Sequence, residues 1–135
     1  MKLKHINFVL TFTALFPATV LLFFSIIGII TLLAHFNTET SILLLAFLLC
    51  CLGYAGLFMN LFWTKSKKFE TYTLLFLITG FLGFILFTSF TGGFNTWKWL
   101  LIFKLHKEWF LFGYPFWVTI ILIVIKSIHL IELKK

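Results

Sequence analysis

Residues 109–131 read WFLFGYPFWVTIILIVIKSIHLI, a run in which Lys126 is the only formal charge. About 20 mainly apolar residues in a helix suffice to cross a hydrocarbon core of about 30 Å. Three further stretches of this kind, Ile6–Ala34, Ile42–Trp63 and Thr73–Thr91, fill most of the rest of the 135-residue chain. Hydrophobic residues make up 61% of the chain and mean hydropathy is +1.10, well outside the range of soluble domains. The expected fold is all-α integral membrane: one domain over residues 1–135 with four transmembrane helices. Too little chain is left over for a separate soluble catalytic unit.

The lysines set the expected topology. Four spans put both termini on one side. Lys2, Lys4, Lys65, Lys67, Lys68, Lys126, Lys134 and Lys135 fall on that side or at its edge, whereas Lys98, Lys104 and Lys107 fall on the other. Basic residues concentrate in cytoplasmic loops, so this eight-to-three split predicts both termini and the Thr64–Tyr72 hairpin inside the cell. The net charge of +7 then reflects topology and anionic headgroups, with no nucleic acid bound directly. The amino-terminal Met-Lys-Leu-Lys-His precedes an apolar run too long for a signal peptide, with no small-x-small cleavage site after it, and reads as a retained first helix.

Between the third and fourth spans, the segment from Gly92 to Glu108 is rich in tryptophan and lysine. Trp97, Trp99 and Trp109 suit the headgroup region, where indole rings are half buried and half hydrated. The segment reads either as a surface-lying element before helix four or as an aromatic belt marking the boundary. Pro17 and Pro115 each remove a backbone donor within a span and predict local loosening there.

Residues for chemistry are sparse. Glu39, Glu70, Glu108 and Glu132 all read as lying at a membrane edge or in a loop, which argues against a proton-coupled pump built on a mid-membrane acid. His5, His35, His106 and His129 read as interfacial residues at helix ends, without the companion motif a metal or haem would need. Adjacent Cys50 and Cys51, the only cysteines, fall in mid-helix, where they read as small packing residues and can form no disulfide framework. No catalytic residue, cofactor or metal site is expected, and the chain does not read as an enzyme.

Two features do point to contacts. Small residues recur at helix-packing spacing: Ala46 and Cys50, Cys51 and Ala55, Gly53 and Gly56 on the second span, and Thr79, Gly80 and Gly83 on the third. Such spacing lets helix backbones approach closely. Gly53, Gly56, Gly80 and Gly83 are therefore the expected packing residues, within one chain or between copies in a homo-oligomer. Asn60, the most polar residue of the second span, reads as an interhelical contact. At the inner end of the fourth span, Lys126, His129 and Glu132 are three apart and would form one polar ridge, with Lys126 snorkelling to the headgroups. Together with Lys65, Lys67, Lys68, Lys134 and Lys135 this makes a basic face. It serves either topology and lipid contact or the docking of an acidic cytoplasmic protein.

In span count, size and Lys/Phe/Ile bias the chain resembles two groups of bacterial membrane proteins from AT-rich genes. One is the immunity proteins against pore-forming colicins; the other is the KwaA subunits of the Kiwa anti-phage system. The resemblance implies a non-enzymatic inner-membrane subunit, an anchor, sensor or inhibitor in toxin immunity or phage defence. The alternative is a small oligomeric channel or transporter, since four thin helices enclose almost no pore.

Overall fold

The computed structural model describes residues 2–91, 98 and 107–135. Four helices account for nearly all of them: α1 (Lys2–Ala34), α2 (Thr38–Asn60), α3 (Lys67–Thr91) and α4 (Lys107–Glu132). Each is long and apolar enough to cross a membrane, and no strand occurs among the described residues. The tryptophan-rich segment expected before the fourth helix lies almost wholly outside the described residues.

The helices form a closed ring. α2 packs most extensively on α3, then α1 on α2 and on α4, while α3 against α4 is the slimmest seam. The diagonal pairs, α1 with α3 and α2 with α4, make no close backbone approach among the described residues. Short turns drive this arrangement. Between α1 and α2 the chain reverses in three residues, and Asn37 caps the second helix. Its side chain accepts from the Thr40 amide at 2.8 Å, and the Thr40 hydroxyl accepts from the Asn37 amide at 2.9 Å. With 33 residues α1 is about 50 Å long at about 1.5 Å per residue, so it must tilt or project beyond the hydrocarbon.

Outward faces are apolar almost everywhere. Phe8, Phe12, Phe16, Phe23 and Ile30 on α1 are more than half exposed, as are Phe58 on α2 and Val124 and Ile131 on α4. In a soluble protein such a surface would aggregate; in a bilayer it is simply solvated by acyl chains.

Where α2 crosses α3, side chains are absent by necessity. A Cβ on Gly53 would overlap the Cα of Gly80, and the reverse also holds. A Cβ on Gly56 would stand 2.8 Å from the Leu77 amide nitrogen, and one on Gly83 would stand 2.6 Å from Leu49 Cβ and 2.9 Å from the Ala46 carbonyl oxygen. Backbone meets backbone along this seam, within a single chain. Lipid tails are as apolar as leucine, so close van der Waals contact replaces the hydrophobic drive that holds soluble helices together. Ala14, Ala18, Leu57, Leu77, Val118 and Leu122 form the buried apolar cluster at the ring's centre.

Candidate functional site

Polar chemistry collects at one end of the ring, where α1 and α3 begin and α2 and α4 finish. There the structure departs from the sequence-based expectation. α2 stops at Asn60 and α3 starts at Lys67, so the connection is shorter than the expected Thr64–Tyr72 hairpin, and Glu70 belongs to the first helical turn of α3. An acidic side chain there is favoured by the unpaired amides and the positive end of the helix dipole. The placement has a large consequence: Glu70 is helical and fully buried within the bundle rather than held in a loop.

Its partner is Lys126 of α4, also fully buried, whose Nζ donates to Glu70 Oε2. The expectation that Lys126 would snorkel into the headgroups and join the basic docking face is thereby overturned. A buried pair is tolerable only when its remaining lone pairs are also satisfied. Here Thr64 does so twice: its amide donates to Glu70 Oε1 at 2.8 Å and its hydroxyl donates to the same oxygen at 3.1 Å. The Trp63 ring lies 4.9 Å from Lys126 Nζ, adding a cation–π contact on the ammonium's other side.

His129 completes the cluster. It is 8% exposed, packs at a tilt of 34° on Trp63 with ring centroids 4.0 Å apart, and lies with Nε2 4.0 Å from Glu70 Oε1. Nε2 also sits 3.1 Å from the Thr64 carbonyl oxygen; a carbonyl can only accept, so this nitrogen carries the proton. Rather than one polar ridge, the three-residue series on α4 splits: Lys126 and His129 turn inward and Glu132 is exposed. The connection 61–66 is thus fastened to α3 through the Thr64 amide and hydroxyl, and to α4 through the Thr64 carbonyl.

Beside this lies a second buried network, between α1 and α2. Asn60 is the last residue of α2, so its carbonyl has no helical donor; Asn7 Nδ2 supplies one at 3.0 Å. Asn60 Nδ2 in turn donates to Asn7 Oδ1 at 3.1 Å and to Thr11 Oγ1 at 2.8 Å, while the Thr11 hydroxyl donates to the Asn7 carbonyl at 2.6 Å. Asn60 Oδ1 is buried without a partner. The interhelical role read for Asn60 has its partners in Thr11, a span hydroxyl that also reads as able to bond a neighbouring helix, and in Asn7, which had not been singled out.

Around these buried groups the same end is basic. Lys2, Lys4, Lys65, Lys67, Lys68, Lys134 and Lys135 are all exposed there, against one exposed carboxylate, Glu132. Of the six lysines expected to form a docking surface, five remain exposed and Lys126 does not. Among the described residues no group of three or more His, Cys, Asp or Glu is placed to hold a metal. Cys50 and Cys51 are half-buried free thiols.

Buried Glu70 could have been anticipated from one signal. Lys126 needs a counter-charge, and in an antiparallel hairpin-connected bundle the acid nearest its depth is at the start of α3. No protein-family model, curated protein or solved structure matches the chain.

Proposed function

We propose that this chain is a non-enzymatic membrane subunit, an anchor, sensor or inhibitor that works by binding other proteins from within a bacterial inner membrane. Toxin immunity and phage defence are the settings its architecture suits. The observation that carries the reading is the basic end of the ring: seven exposed lysines on three separate chain segments, facing one exposed acid. Glu70 and Lys126 neutralise each other inside the bundle, so the exposed charge keeps a single sign and favours an acidic cytoplasmic partner.

Lys65, Lys67 and Lys68 are the best handle, being adjacent and all exposed. Exposed ion pairs are worth only about 0–1 kcal/mol each and are screened by salt. A triple Lys→Gln variant is therefore the test, with membrane orientation checked in parallel because these lysines also set topology. With orientation intact, recovery of the cytoplasmic partner from native membranes should fall, and fall further as salt rises. Unchanged recovery would remove the docking face.

A channel or transporter, oligomeric in the membrane, is the second reading. It is favoured by the burial of Glu70, Lys126 and His129 together, since ionisable groups inside a bundle mark ion and proton paths in many membrane proteins. Purified protein in liposomes that passes an ion or solute without any partner, with flux abolished by Glu70→Gln, would select it over the first.

A further inference from the structure

Midway along the bundle the four helices part around a cavity of about 380 Å³, to which every helix contributes wall. That volume falls within the roughly 300–1,000 Å³ of small-ligand sites, which in helical bundles lie between the helices. Its lining is nearly all apolar, with Phe116 stacked on Phe81 at 5.3 Å and tilted against Phe84 at 5.5 Å between centroids across the α3/α4 seam. The cavity is partly open: Phe24, one of its wall residues, is 59% exposed on the outer face of α1.

The few hydroxyls in the wall are already engaged. Ser25 donates to the Leu21 carbonyl at 2.9 Å and Thr119 to the Pro115 carbonyl at 2.6 Å. Tyr54 donates to Thr19 Oγ1 at 3.1 Å, because Thr19 itself donates to the Leu15 carbonyl at 2.7 Å. Their protons are thus all committed, and a wall this apolar offers an ordered water few of the two to four polar partners it needs. A dry void would instead forfeit the dispersion contacts of all its lining atoms. At this depth in a four-span protein the surrounding solvent is hydrocarbon, and it can supply a flexible apolar chain through the opening at Phe24.

We propose that the cavity is a binding site for one acyl chain of a membrane phospholipid, entering past Phe24 and ending against Phe84 and Phe116. The site rests on the membrane-spanning reading of the helices and is independent of whether the basic end docks a protein.

Photolabelling tests it on the intact chain. The protein is reconstituted into phosphatidylethanolamine–phosphatidylglycerol vesicles doped with a phospholipid carrying a diazirine near the end of one acyl chain, and labelled residues are mapped by mass spectrometry. Outward residues such as Phe8, Phe12 and Phe16 meet bulk lipid, so their labelling should rise linearly with probe mole fraction. Labelling at Tyr54, Phe84 and Phe116 should instead saturate at low mole fraction. Ser25→Phe, which fills the cavity from the α1 wall, should abolish the saturable labelling and spare the linear one. Thr119→Leu adds bulk from α4 and reads the same loss if the first variant does not fold. Linear labelling everywhere, or none at the cavity residues, overturns the site. Displacement of the saturable label by a polyprenol but not by unlabelled phospholipid would overturn the acyl chain as occupant and assign an isoprenoid instead.

Discussion

Lys126 and Glu70 hold α4 against α3 by a pair that neither residue could leave singly. Replacing Lys126 with Ala leaves a buried carboxylate whose only donors come from Thr64, and truncating one side of a buried pair typically costs about 3–5 kcal/mol. Glu70→Ala strands the ammonium in the same way. The double variant Glu70→Leu/Lys126→Met removes both charges at nearly constant volume and should recover most of the lost stability. Thermal unfolding in mild detergent reads all three; a Lys126→Ala protein that melts like wild type would mean the pair contributes nothing to holding these helices. Little of this pairing was legible beforehand. Lys126 stood out as the only charge in its span, but a lone lysine near a helix end also suits snorkelling, and its partner lies in a turn whose Lys-Lys-Phe-Glu-Thr composition resembles a loop.

At the level of the elements, hydropathy located all four helices and misplaced their polar ends. α3 begins at Lys67, six residues before the apolar run starts at Thr73, because Lys67, Lys68 and Glu70 lower a hydropathy average although all are good helix formers and Glu70 suits a helix start. α2 likewise begins at Thr38 through its Asn37 cap rather than at Ile42. The small-residue spacing was more informative, since glycine at 53, 56, 80 and 83 leaves few other reasons for its presence inside apolar helices. Gly53→Leu should be the most damaging change on this seam, because its side chain would meet the Gly80 backbone, which cannot swing aside. Overpacking of this kind typically costs about 1–3 kcal/mol and more where backbone must move. Gly28→Leu is the milder comparison, as its Cβ meets the ring edge of Phe47, 2.7 Å away, and a ring can rotate. Equal melting temperatures for the two variants would contradict this ranking.

For the whole molecule, the antiparallel ring gathers both helix starts and both helix finishes at one end, and with them seven exposed lysines. Basic residues are retained on the cytoplasmic side, so that end should face the cytoplasm. With both native cysteines replaced by alanine, Ser66→Cys should resist a membrane-impermeant thiol reagent applied to intact cells, and Asn95→Cys should react. Labelling at position 66 reverses the orientation and removes the docking face with it. The central cavity was not legible in the sequence at all. It depends on where four helices diverge, and each of its aromatic residues would read equally well as ordinary lipid-facing or core packing.

The buried pair also has a history in time. Glu70 and Lys126 are separated by 56 residues, so the carboxylate emerges from the ribosome well before its counter-charge. At roughly 5–20 residues per second that interval is about 3–11 s. Throughout it α3 can be inserted, but Glu70 lacks the Lys126 ammonium that neutralises it inside the bundle and is best left among hydrated headgroups at the helix start. Arrival of α4 then supplies the counter-charge and closes the ring, so its insertion is the step expected to bury Glu70. With Cys50 and Cys51 replaced and the Glu70–Lys126 pair intact, a chain halted after residue 106 should accordingly leave Thr73→Cys, one turn beyond Glu70, open to an aqueous thiol reagent, whereas the same substitution in the chain through residue 135, where position 73 is fully buried, should be protected. Equal reactivity in the two chains would mean that Glu70 is sheltered before α4 exists.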